Sequence, residues 1–136
     1  MSNLVNINYL TPLSDRRLLG VEPLLCQIVR AAIQHCPYEF QIAWMGGVRD
    51  ATEQKALYDD GKSKCDGVIK LSLHQKGMAF DIICYDENRV LSWDVDIFTE
   101  VANWIRHVAE TQFNTELEWG GDWKRFKDRP HFQLNK

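Results

Sequence analysis

No two cysteines in this sequence stand two or three residues apart, so Cys26, Cys36, Cys65 and Cys84 form neither a zinc ribbon nor a redox CxxC pair. An excess of positive charge is missing as well. Sixteen Lys and Arg face nineteen Asp and Glu, a net charge of -3, which removes the electrostatic ground for nucleic acid as the main ligand. No apolar run approaches the roughly 20 residues that span a bilayer. The opening stretch MSNLVNINYLTPLSDRR also lacks a basic segment followed by an apolar core. The expectation is synthesis in the cytoplasm without a signal peptide, and no membrane insertion. Internal repeats and low-complexity tracts are absent too, which excludes solenoids and fibrous architectures.

What is present fits one domain. A chain of 136 residues can cover one hydrophobic core, and the composition is ordinarily globular. Val21, Leu24, Leu25, Ile28, Val29, Ala32 and Ile33 recur at helical spacing between Pro23 and Pro37. Phe40, Ile42 and Trp44 alternate as a strand before the Gly46-Gly47 pair, with Trp44 expected to pack in the core or at its rim. "DATEQKALYDDG" reads as a short helix that opens near Asp50 or Thr52 and closes before Gly61. "MAFDIICY" is an apolar strand, and "SWDVDIFTEVANWIRHVAET" a third helix with Ser92 as its cap. "LEWGGDW" and "HFQL" are short strands around a charged loop, Lys124 to Arg129. The predicted class is α+β, a small antiparallel sheet backed by helices, over a single domain 1-136 with a short N-terminal extension 1-13. Cys26, Cys36 and Cys84 are expected as small core residues, and Cys65 falls in a polar loop.

The chemistry concentrates in "SLHQKGMAFD". A hydrolytic zinc takes three protein ligands, typically imidazole nitrogens and a carboxylate oxygen, and keeps one position open. His74 and Asp81 can supply two, provided the chain turns between them, because residues seven apart on a regular strand face opposite ways. Gly77 permits that turn and Ala79 leaves room beside the ion. For the third ligand, His35 and His107 lie on helices with inward apolar faces, whereas His131 opens "HFQL" directly after Pro130, close to two tryptophans. Asp128, three residues before His131, suits a general base, with Glu118 and Asp122 as competitors. Arg49, just after the glycine pair, suits stabilisation of an oxyanion. Trp119 and Trp123 can either wall a substrate cleft or pack in the core.

Three ordered segments carry the sequence further. Ser72, His74, Gly77, Ala79 and Asp81 match an S-x-H-x-x-G-x-A-x-D signature. "GGVRDATEQKALYDDGKS" looks like a G-x-R-x-x-x-x-Q-x-x-L-Y-x-x-G-x-S stretch, and "EWGGDW" followed by "DRPHFQL" is similar to a closing segment in which an acid precedes the last histidine by three. Together they resemble the zinc peptidases related to D-alanyl-D-alanine carboxypeptidases, D-alanyl-D-alanine dipeptidases and phage L-alanyl-D-glutamate endolysins, over roughly residues 14 to 134. The resemblance implies the small α+β fold shared with the hedgehog signalling domain. It implies Zn²⁺ held by His74, Asp81 and His131, Asp128 as general base, and Arg49 polarising the scissile carbonyl. Gln54, Ser72, Trp119 and Trp123 are the candidates for substrate binding. Aspartate at position 128, where carboxypeptidases and dipeptidases usually carry glutamate, tilts the expectation toward an endolysin. Such an enzyme is a monomer that reaches the bacterial cell wall after release and cuts the L-alanyl-D-glutamate bond of the peptidoglycan stem peptide. The rival expectations are a D-alanyl-D-alanine carboxypeptidase or dipeptidase and a non-catalytic zinc module.

Overall fold

The computed structural model describes residues 8–48, 51–61 and 73–134, and within the helix at 51–59 only the backbone of positions 51, 53, 54 and 57. The elements in chain order are α1 (Pro12–Arg17), α2 (Pro23–Gln34), β1 (Phe40–Ile42), α3 (Ala51–Asp59), β2 (Ala79–Tyr85), β3 (Leu91–Ser92), α4 (Val95–Phe113), β4 (Leu117–Trp119), a 3-10 turn (Gly120–Asp122) and β5 (His131–Leu134). The sheet runs β1-β2-β5-β4, with β3 added to β2, and every pairing is antiparallel. This is the α+β arrangement expected from the alternating and helical patterns.

Period-two alternation gives the sheet two different faces. One carries Phe40, Ile42, Phe80, Ile82, Cys84, Leu117, Trp119, Phe132 and Leu134, all buried. The register places Phe80 opposite Phe132 and Trp119 opposite Phe132, and the rings stack at 5.2 and 6.4 Å between centroids. Against this face lie α2, through Leu25, Ile28, Val29, Ala32 and Ile33, and α4, through Phe98, Val101, Ala102, Ile105 and Val108. The indole N–H of Trp104 joins the two helices by donating to the Ala32 carbonyl at 2.7 Å. The other face carries Ala79, Asp81, Glu118, His131 and Gln133. All the polar chemistry predicted for the strands therefore falls on one side of the sheet.

Three expectations need correction. Helix α1 begins at Pro12, inside the stretch read as an extension, with Thr11 as its cap. It lies along β1: the Ser14 hydroxyl accepts from the Ile42 N–H at 3.0 Å, and Arg17 donates to the Ile42 carbonyl at 2.8 Å. A six-residue helix with mixed polarity has too little periodicity to be read without its partner strand. Ser92 does not cap α4. It belongs to β3, and the carboxylate of Asp94 accepts from the N–H groups of Asp96 and Ile97. Trp44 sits in a turn closed by the Gly46 N–H on the Ala43 carbonyl at 2.8 Å, and is 71% exposed rather than packed. β1 stops at Ile42 because this turn follows it.

Candidate metal centre

Sheet register brings two of the site residues together. β2 and β5 pair so that Asp81 lies directly opposite His131, which collapses a separation of fifty residues. His74 arrives from the turn that precedes β2. The Met78 N–H donates to the Leu73 carbonyl at 2.9 Å and the Gly77 N–H to the His74 carbonyl at 3.2 Å. Gly77 has φ +73, and a Cβ there would lie 2.7 Å from the Gly20 carbonyl oxygen, so position 77 needs glycine on both counts. The turn is anchored to the segment before α2 by the Glu22 N–H on the Gly77 carbonyl, at 2.8 Å.

The glycine pair after β1 completes the support. Ala43 donates its N–H to the Asp81 carbonyl at 3.0 Å, and Asp81 donates its own to the Gly46 carbonyl at 2.8 Å. A Cβ on Gly46 would sit 2.7 Å from the Asp81 carbonyl oxygen, and one on Gly47 would sit 1.8 Å from the Arg17 carbonyl oxygen. That close approach lets the Gly47 carbonyl meet the ring of His74: Nδ1 donates to it at 2.9 Å.

Three ligand atoms converge. His74 Nε2 lies 3.1 Å from Asp81 Oδ1 and 3.2 Å from His131 Nδ1, and His131 Nδ1 lies 3.1 Å from Asp81 Oδ1. Both histidines are nearly enclosed, at 3% and 7% exposure, while the Asp81 side chain keeps 17%. Outer hydrogen bonds set the ring protons. His74 gives its Nδ1 proton to Gly47, and His131 gives its Nε2 proton to the Gln133 amide oxygen at 2.7 Å. In neutral imidazoles this leaves two lone pairs and a carboxylate oxygen facing one point with no donor between them.

Such a triangle calls for a cation at its centre. Burial pushes the Asp81 carboxyl upward, but His74 and His131 beside it more than reverse this and hold it well below the usual carboxylate range. Burial alone lowers the pKa of His131, yet the hydrogen bond and charge of Asp81, with smaller contributions from Gln133 and Asp128, leave it raised. Both shifts express one preference for positive charge between these groups. A tetrahedral ion with ligand bonds of about 2.0–2.2 Å holds its donors roughly 3.3–3.6 Å apart, close to the triangle seen. The donor set of two imidazoles and one carboxylate therefore fits a metal ion, and among the described residues it is the group of such side chains close enough to do so.

The other expected residues divide. Trp123 joins the site: its ring lies 5.2 Å from that of His131, and its indole N–H donates to Glu118 at 2.7 Å. Asp128 is packed on Gly120, whose added Cβ would lie 3.0 Å from the Asp128 Cβ, and its carbonyl accepts from the His131 N–H at 3.1 Å. Its two competitors as base are engaged elsewhere, Glu118 with Trp123 and Asp122 with Arg106. Trp119 is corrected to a core residue. It is 5% exposed, with Phe132 against its ring, the Arg106 guanidinium 5.3 Å from its centroid, and its N–H on the Arg129 carbonyl. His35 and His107 are exposed and lie outside the converging triangle, as expected. Arg49, Ser72 and Cys65 lie outside the described residues, and Gln54 is described only by its backbone in α3. Sequence reasoning missed Gln133 and the Gly47 carbonyl. Gln133 was accessible, since a residue two beyond His131 on a strand shares its face. A backbone carbonyl leaves no such trace.

With this geometry in hand, known proteins give a consistent picture. The profile of a family described as D-alanyl-D-alanine carboxypeptidase matches residues 66–134, half of the chain. The peptidoglycan L-alanyl-D-glutamate endopeptidase CwlK of Bacillus subtilis is 32% identical over 96 residues, covering 65% of this chain and 57% of that protein. The chain thus spans little more than half the length of this relative. The L-alanyl-D-glutamate peptidase of Escherichia phage T5 is 26% identical over 115 residues, covering 85% of this chain and 81% of that protein. In three dimensions, the crystal structure of the Serratia marcescens L-Ala D-Glu endopeptidase ChiX superposes with a TM-score of 0.82 at 31% identity, covering 98% of this chain and 94% of that one.

Proposed function

The chain belongs to the D-alanyl-D-alanine carboxypeptidase family of metallopeptidases, and from that premise we propose that it hydrolyses the L-alanyl-D-glutamate bond of the peptidoglycan stem peptide with a zinc ion held by His74, Asp81 and His131. The observation that carries this reading is the triangle of three acceptor atoms whose ring protons are both turned outward. When bound, zinc supplies Lewis acidity and lowers the pKa of water to about 7. Asp128 serves as general base, taking a proton from the attacking water and delivering it to the amine that leaves on D-glutamate. Its placement beside His131, with its charge felt there, supports this role. The guanidinium of Arg49, always charged and able to donate two hydrogen bonds, stabilises the oxyanion that develops on the alanyl carbonyl. Trp123 supplies an aromatic wall against the substrate and keeps bulk water from the His131 side. Gln54 and Ser72 contribute polar contacts to the stem peptide. The enzyme acts at the bacterial cell wall, and no helix of the described residues is long and apolar enough to cross a membrane.

Digestion of purified peptidoglycan, followed by mass spectrometry of the new termini, tests the bond assignment. The expected products carry a new amino terminus on D-glutamate and a new carboxyl terminus on L-alanine. Release of free D-alanine instead would assign the chain to the carboxypeptidase or dipeptidase branch.

A further inference from the structure

The Nε2 atom of His131 has a single hydrogen-bond partner among the described residues, the amide oxygen of Gln133 at 2.7 Å. We infer that Gln133 is a positioning residue for the metal: it holds His131 in the tautomer and orientation that turn Nδ1 toward the ion. The inference rests on the zinc reading above and assigns a role to a residue outside the ligand set.

The two imidazoles of the site ligate through different nitrogens. His74 offers Nε2 because its Nδ1 proton is taken by a backbone carbonyl, which neither ionises nor rotates. His131 must do the reverse, and its outer partner is a side chain. A neutral imidazole carries one ring proton, so whichever nitrogen donates outward leaves the other free to ligate. Removing the acceptor at position 133 leaves the Nε2 proton unpaired in a buried setting and frees the ring to turn.

The sheet is arranged so that this amide can reach. Gln133 lies opposite Ala79 on β2 and opposite Glu118 on β4. Ala79 is fully buried and small, so the strand beside Gln133 presents nothing longer than a methyl group. On the other side Glu118 accepts from Trp123, whose ring lies against His131. The histidine is thus held at its edge by Gln133 and flanked by the tilted ring of Trp123. The choice of amide over carboxylate also has an electrostatic consequence. With a neutral acceptor, Asp81 is the only anion among the three ligands, and a divalent ion would leave the ligand set itself with one net positive charge. A carboxylate at 133 would pull on the Nε2 proton, make the imidazole more basic and strengthen its hold on the ion.

The test compares the parent chain with Gln133→Leu and Gln133→Glu. Zinc affinity is measured by competition with a chromophoric chelator, and the His131 ring by long-range nitrogen–proton NMR correlations. Gln133→Leu is expected to bind zinc about 10–100-fold more weakly and to lose the Nε2–H signature of His131. Gln133→Glu is expected to keep that signature and to bind at least as tightly as the parent. Parent-like affinity in Gln133→Leu would overturn the inference, as would equal weakening in both variants, which would mark a packing role only. A parent that binds no zinc would overturn the metal reading itself, a result the variants cannot mimic.

Discussion

Asp128 is the residue on which the proposed chemistry turns, and it touches the site differently from the ligands. Its charge reaches His131, but it stands outside the triangle of ligand atoms. Asp128→Asn should therefore lose turnover by about 10²–10⁴-fold, the usual share of a general base, while zinc content stays at that of the parent. Cleavage of a purified stem peptide, paired with elemental analysis of the dialysed protein, checks both halves. Loss of zinc along with activity would move Asp128 into the coordination shell. At this scale the sequence was informative where a residue type is rare or a spacing unusual. The two histidines and the aspartate that converge were legible as a signature, whereas Trp119 and Trp123 could not be separated, because two tryptophans four apart read alike until strand register sends one into the core. Gln133 passed unnoticed as one polar residue on a short strand.

The elements show how much of the site is made by backbone. Gly47 is pressed against the last residue of α1, and its carbonyl orients His74. Gly47→Ala should cost about 1–3 kcal/mol, as overpacking does, and should also weaken zinc binding through the displaced carbonyl. Gly61 gives the contrast: it has φ +74 with open space around it, so Gly61→Ala should cost only about 1 kcal/mol of backbone strain and leave zinc affinity unchanged. Urea denaturation of the two variants beside the parent, with a zinc titration of each, would show whether the losses separate this way. Helices α2 and α4 were legible because each buries one long apolar stripe. α1 and β3 were not, since a six-residue helix and a two-residue strand owe their existence to the elements they touch. The cap of α4 was misread for a related reason: Ser92 and Asp94 are both capping residue types, and only the β2–β3 pairing decides between them.

For the molecule as a whole, the proposed ligands come from the turn before β2, from β2 and from β5, so an ion at this point would tie together chain segments far apart in sequence. On the proposed zinc reading, the ion binds the folded state and finds no assembled site in the unfolded one, so free zinc at 100 times its dissociation constant should add about 2.7 kcal/mol. For a domain of this size that corresponds to a rise in melting temperature of roughly 5–10 °C. Calorimetry with and without a chelator measures it, and an unchanged midpoint would mean that the triangle does not hold the ion in solution. The overall class was legible early, because strands and helices alternate along the chain and each shows its own period. The joining of β1 to α1 was not, and it has a consequence beyond the site. Ile42 has both its N–H and its carbonyl engaged by Ser14 and Arg17, so this end of the outermost strand offers no free ladder to a neighbouring molecule. In a crowded lysate, where exposed strand margins recruit one another into aggregates, a short helix acts as the sheet's selvedge.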